Sequence, residues 1–259
     1  MNKTVWMLWL QGWDKAPSIS QICVDSWKHY NPGWDVKLLD EKNVTEYLAL
    51  EEELPGLKTN NISLSNIIRI SLIKKYGGVW ADSTLFCNKS LDDWLPDGAF
   101  LFNRPSAQRM ICDWFISGSG DSPIIDMWHN VTMEYWKWRI EETDQYEQQY
   151  GWSHSLFEKC YQGNELFKKT WDETPKIEAA CTGLRGIGPH YFVPYSVFYK
   201  NRVSEEEIER IDSQIDPVYK LTYKLDTDWR NNGIHPDSQK IDTPYFKKSS
   251  VDYLFNTIA

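Results

Sequence analysis

The residues with chemical reach gather in one stretch, residues 63–87, which reads SLSNIIRISLIKKYGGVWADSTLFC. Asn66 and Arg69 stand three apart, a spacing that sets both on one helical face. That face lies off the apolar stripe of Leu64, Ile67, Ile68 and Leu72. Gly77-Gly78 then turns the chain into a short apolar run ending at Asp82. Arginine pairs bidentately with phosphate, and aspartate binds a hard cation or accepts hydroxyl hydrogen bonds. Together they suit a ligand carrying a diphosphate, a cation and hydroxyls. Each also has a plainer use: a strand-end Asp often caps a turn, and a helical Arg often closes a structural ion pair. A second candidate pair is Lys220 and Lys224, which alternation places together on one face of a strand, apart from Leu221 and Tyr223. Their ammonium groups can neutralise a diphosphate as point charges or simply form a solvated face.

The elements that must position these groups follow from the pattern upstream. Residues 4–10, TVWMLWL, are apolar enough for a buried strand. Residues 18–30 place Ile19, Ile22, Cys23 and Trp27 at helical spacing, and Asn31-Pro32-Gly33 supplies turn chemistry. Residues 34–39 alternate as a second strand. A β-α-β opening predicts an α/β domain with a parallel sheet, and in such sheets ligands bind outside the carboxyl ends of the strands. The helix over 63–76 stops at the glycine pair, and a short strand runs through Val79 toward a polar turn. Residues 98–103 read as a further strand. From about 105 to 180 the chain reads as a helical insertion, with no linker composition to isolate it. Strand-like runs return at 191–199 and 218–224, and the tail after Asp226 reads as a loop. One domain accounts for the whole chain.

Composition removes several function classes. The net charge of -9 lacks the cationic footprint of a nucleic-acid binder and opposes attachment to anionic lipid. No run reaches the roughly 18 apolar residues a membrane span needs, and the start, MNKTVWMLWLQGW, lacks the form of a secretory signal. Five scattered cysteines, Cys23, Cys87, Cys112, Cys160 and Cys181, form no C-x-x-C pair and read as reduced thiols. These features point to a cytoplasmic setting. Aromatic residues make up 15% of the chain, with 14 Trp. Most of that share is core, and the surplus suits a protein that handles sugars.

Several motifs, in order, resemble the glycosyltransferases with a DXD sugar-binding region, in particular bacterial capsular polysaccharide synthesis proteins. Their pattern of S-D-x-x-R, an amphipathic helix, Y-G-G and an Asp-containing triplet is matched by Ser65-Asn66, Arg69, Tyr76-Gly77-Gly78 and Asp82-Ser83-Thr84. Upstream, WMLWLQG is similar to the family's first strand, and SWKHYNPGWDVKLLDE to the segment holding its second. The resemblance implies a GT-A-type nucleotide-binding fold with a mixed central sheet. It implies transfer of a hexose from a nucleoside diphosphate sugar, UDP-linked by expectation, to a saccharide acceptor, free or lipid-linked, with retention of configuration. The protein would then work in the cytoplasm or peripherally at the inner membrane face. In this scheme Trp9, with Leu10, contacts the nucleotide base. Asn66, Arg69, Ser83 and Thr84 contact the donor, and Asp82 and Arg69 are the catalytic residues: Asp82 holds a divalent Mn²⁺ or Mg²⁺, and Arg69, with Lys220 and Lys224, meets charge on the leaving diphosphate.

The departures from that pattern carry their own expectation. Asn66 stands where the family has Asp, and Thr84 stands at the second acidic position of the triplet. No histidine appears in the strand over 218–224, and His235 lies further on. With fewer carboxylates, the cation should be weakly held, and its removal should cost only part of the activity. A catalytically silent nucleotide-sugar binder is the alternative. A glycoside hydrolase needs two facing carboxylates, for which the sequence offers no convincing pair.

Overall fold

The computed structural model describes residues 2–106, 109–142, 151–177, 180–181, 202–221 and 249–259. The chain divides into two compact units. The first comprises Met1–Asp14, Asp35–Asp82 and Pro96–Ile177; the second comprises Lys15–Trp34, Ser83–Leu95 and Glu178–Ala259.

The first unit is built on a five-stranded mixed sheet. Its strands are β1 (Thr4–Leu8), β2 (Asp35–Leu39), β3 (Gly78–Ala81), β5 (Phe100–Ser106) and β6 (Arg109–Gly118), with β4 (Leu85–Cys87) in the second unit. The spatial order is β2-β1-β3-β6-β5. β1 runs parallel to both β2 and β3, while β6 is antiparallel to β3 and β5. The α/β architecture with a mixed central sheet is therefore present as predicted. Strand β6 is a correction, since its residues fall inside the stretch expected to be helical. RMICDWFISG is buried along almost its whole length, and a run apolar on both faces carries no period that separates strand from helix. Helices occupy the rest of that stretch: α5 (Pro123–Glu142), α6 (Trp152–Gly163) and α7 (Glu165–Glu173).

Helix α3 (Asn61–Tyr76) follows the four-residue α2 (Leu50–Glu53) and feeds β3 directly. It starts where the Asn60 side chain accepts from the Ser63 N–H at 2.9 Å, an N-cap. It is buried around its circumference: Ser63, Ile67, Ile68, Arg69, Ile70, Ser71, Leu72 and Ile73 are all enclosed. Gly77 and Gly78 end it with φ of 67° and 92°, a region that favours glycine. A Cβ on Gly78 would lie 2.5 Å from the Thr4 carbonyl oxygen, so the close approach of β3 to β1 requires that residue. The Trp6 indole N–H donates to the Gly77 carbonyl at 2.9 Å and ties the turn to β1. The core of this unit joins Trp6, Leu8, Ile67, Ile68, Trp80, Ile116, Trp128 and Phe157.

The second unit holds α1 (Ser18–Tyr30), α4 (Leu91–Trp94) and a three-stranded sheet in the order β4-β8-β7, with β7 (Ala180–Cys181) and β8 (Val218–Lys220). Trp27 donates to the Leu85 carbonyl at 2.7 Å, and Asn31 accepts from Leu91 N–H at 2.7 Å, fixing α1 against β4 and α4. Ser250–Asn256 forms a helix capped by Ser249, where the sequence reads as loop. Its Ser250 hydroxyl donates to Glu207 at 2.7 Å, joining it to the helix Glu205–Asp212. The expected strand over 191–199 lies outside the described residues. Cys23, Cys87, Cys112 and Cys160 are buried. Burial pushes Cys87 up to about 12 and Cys160 up to about 11.

Candidate functional site

The order β2-β1-β3 places the reversal of the sheet between β1 and β3, the crevice position where ligands enter open α/β sheets. Register sets what stands there. Trp6 pairs with Trp80 in parallel strands, so the residues two steps on, Leu8 and Asp82, leave the sheet at the same level. Trp9 and Leu10 follow Leu8 directly. Both are half-buried; the Trp9 backbone N–H donates to the Leu39 carbonyl at 2.9 Å, and Leu10 rests against the core.

Asp82 is fixed from three directions. Its backbone N–H donates to the Trp114 carbonyl at 2.9 Å. The Trp80 indole N–H, two residues back on the same strand, donates to Asp82 Oδ1 at 2.9 Å. The third tether is Arg69, whose Nη2 lies 3.3 Å from the same oxygen. The carboxylate keeps 23% of its side-chain surface exposed, against 7% for Arg69.

Arg69 itself turns inward. Its Nη1 donates to the Asp113 carbonyl at 2.6 Å and lies 3.5 Å from Asp113 Oδ1. Nε and Nη2 reach the Ser65 carbonyl and hydroxyl, each at 3.4 Å, and the guanidinium carbon stands 5.3 Å from the Trp80 ring centre. A buried guanidinium demands this saturation, because a charge removed from water is costly unless paired and hydrogen-bonded. Asn66, three residues earlier on α3, is half-buried.

Trp80, Asp113, Ser153, His154 and Arg109 were not singled out by the sequence. Trp80 was findable, because residues two apart in a strand share a face; Asp113 and His154 meet only through tertiary structure. His154 Nε2 from α6 lies 3.4 Å from Asp113 Oδ1. Burial alone would raise the Asp113 carboxyl. The positive fields of His154, Arg69 and Arg109, with a hydrogen bond from Ser153, outweigh it and hold the group below the usual carboxylate range.

Asp82 is the last residue of its segment of the first unit. In the second unit Ser83 is half-buried and Thr84 is buried, with its hydroxyl accepting from Lys220 Nζ at 2.7 Å. Leu85 pairs with Lys220 across β4 and β8, which is why that ammonium reaches the residue before Leu85. Lys224 and His235 lie outside the described residues. Among the described residues, no group of three His, Cys, Asp or Glu side chains could hold a metal ion. Asp82 is one carboxylate with Oδ1 already shared by two donors. Alone it supplies far fewer than the six or more oxygen ligands that a hard divalent cation takes.

A family model described as capsular polysaccharide synthesis protein matches residues 1–237. Over 160 residues the chain is 27% identical to "Glycosyltransferase afumC" of Aspergillus fumigatus, covering 52% of this chain and 41% of that protein. Over 161 residues it is 26% identical to "O-glycosyltransferase braB" of Annulohypoxylon truncatum, covering 52% and 38%. The matches therefore span about two fifths of the length of these relatives. Among solved structures, "PaToxG Glycosyltransferase" aligns over 100% of this chain and 86% of its own at 13% identity, with a TM-score of 0.45.

Proposed function

The chain belongs to the capsular polysaccharide synthesis protein family, and from that premise we propose that it is a glycosyltransferase of GT-A type. The donor is a nucleoside diphosphate sugar, UDP-linked, the transferred group is a hexose, and the acceptor is a growing or lipid-linked saccharide. The observation that carries this reading is Asp82: a tethered, part-exposed carboxylate at the carboxyl end of β3, beside the sheet reversal and level with the exit of β1. Trp9 and Leu10 take the base at the end of β1, and Asn66 and Ser83 meet sugar hydroxyls. Asp82 would hold a divalent cation, Mn²⁺ or Mg²⁺, arriving with the diphosphate, and that cation would offset negative charge on the leaving group. Arg69 acts by holding Asp82, since its donors are spent inside the protein.

The hydroxyl of Thr84 paired to Lys220 supports a second electrostatic element. In place of an acidic ligand for a cation, this position carries a neutral group bonded to an ammonium. Lys220, with Lys224, supplies fixed positive charge for the diphosphate, so that transfer survives partly without metal. Electrostatic stabilisation of charge developing on the leaving group is the main catalytic means available to such a site. The test is a screen of UDP-, GDP- and dTDP-sugars, scored by slow donor hydrolysis and by thermal shift. A shift with hydrolysis for one nucleotide series supports the enzyme. A shift without hydrolysis or transfer identifies a silent nucleotide-sugar binder, and no response to any donor sinks the reading.

A further inference from the structure

The β6 strand holds Asp82 twice over. The carbonyl of Trp114 accepts the Asp82 backbone N–H, and the preceding residue, Asp113, receives Arg69 through both its backbone and side-chain oxygens. The arginine is thereby fixed along one edge, and its remaining terminal nitrogen meets Asp82 Oδ1. A carboxylate in this position would drift if its partners were solvated, since a surface pair holds geometry weakly. Asp113 is 14% exposed and His154 11% exposed, so the tie is enclosed. α6 completes it: Ser153 and His154 both engage Asp113, and a Cβ on Gly151 would stand 3.7 Å from Arg109 Nη2 and 4.0 Å from the His154 ring. Asp113 thus joins three elements, α3, β6 and α6, at the point that sets Arg69.

We propose that Asp113 is a positioning residue for sugar transfer, holding Arg69 in the orientation that fixes the Asp82 carboxylate at the end of β3. This role rests on Asp82 being the donor-site carboxylate. Groups that orient a metal- or donor-binding side chain matter because small displacements at the reacting centre are costly: changes to such outer partners commonly reduce affinity or activity about 10–100-fold, and a misplacement of about 1 Å can cost as much.

The test compares Asp82→Asn, Asp113→Asn and Asp113→Glu with the unmodified protein. The readouts are urea unfolding, the kcat and KM of donor hydrolysis, and calorimetric binding of UDP in the presence of Mn²⁺. Asp113→Asn removes the charge that holds Arg69. Asp113→Glu keeps the charge and moves it by one methylene, and is the variant to read if Asp113→Asn fails to fold. A positioning role predicts a kcat lowered at least about 10-fold in folded Asp113→Glu, with weaker UDP binding and little change in unfolding midpoint. A merely structural role lowers the midpoint and leaves the kcat of the folded fraction untouched. Loss of activity in Asp82→Asn together with full kcat in folded Asp113→Glu overturns the positioning role alone. Full activity in folded Asp82→Asn overturns instead the reading on which it rests.

Discussion

Removing the guanidinium of Arg69 should be among the most damaging single changes in the first unit. Arg69→Met keeps length and apolar bulk on α3 but leaves Asp82 and Asp113 facing a site with no cation between them. The ion pairs it breaks, to Asp82 and to Asp113, span 3.3 and 3.5 Å. At an effective dielectric of 20 each corresponds to about 5 kcal/mol of gross Coulomb energy. The desolvation already borne by the arginine offsets much of that, and Asp82 remains part-exposed, so the net loss is smaller. Breaking a buried pair by deleting one partner costs about 3–5 kcal/mol, and that is the expected destabilisation at neutral pH. Equilibrium urea unfolding measures it. A double-mutant cycle with Asp113→Asn should then show coupling of about 1.5 kcal/mol or more, because both changes break the same buried ion pair. Arg69→Lys, which keeps a charge but loses the planar fork, should fall between. A loss below about 1 kcal/mol in Arg69→Met, in the range of an exposed pair, would refute the buried clamp.

Trp9→Ala should weaken UDP binding by about 1–3 kcal/mol, the range of base–aromatic stacking; unchanged affinity in the folded variant would remove the stacking role. Chelator should reduce transfer without abolishing it, and Lys220→Ala should deepen the loss. Tight Mn²⁺ binding to nucleotide-free protein by calorimetry would contradict the weak cation site, and full activity in chelator would remove the cation's role. The lowered folded-state value of Asp113 means that its ionisation favours the folded state above the unfolded carboxylate value of about 3.9. That contribution disappears as pH falls through the lower folded value. The stability gap between the unmodified protein and Asp113→Asn should therefore be full at pH 7 and close on acidification below about pH 4; a gap independent of pH would show that Asp113 contributes through shape, not charge.

Local chemistry made part of this molecule legible in advance. The glycine pair, the helix before it and the strand after it were readable because turn residues and periodicity are short-range signals, and the clash awaiting a Cβ on Gly78 explains why that signal was strict. Asp82 was readable for the same reason, as a carboxylate at the end of an apolar run. The inward turn of Arg69 was less so. Spacing placed it off the apolar stripe of α3, yet the helix is buried all round, and which neighbours cover its polar face is a tertiary fact. β6 was illegible because a strand buried on both faces shows no alternation, and its central place beside β3 depends on pairing far along the chain. Asp113 and His154 belong to separate segments joined only by α6 packing on β6, so no local motif announced them. The helix Ser250–Asn256 had a cap signal in Ser249, overshadowed by the polar run before it.

The rate of donor turnover by Asp82→Asn tests the donor-site assignment most directly. The amide keeps the size of the side chain and can still receive the Trp80 indole and Arg69, but it loses the charge that would meet a cation carried by the diphosphate. With the donor identified by the nucleotide-sugar screen, turnover should fall to background while urea unfolding still reports a cooperative fold. Near-normal turnover by a folded Asp82→Asn protein would contradict the assignment of this strand end as the donor site.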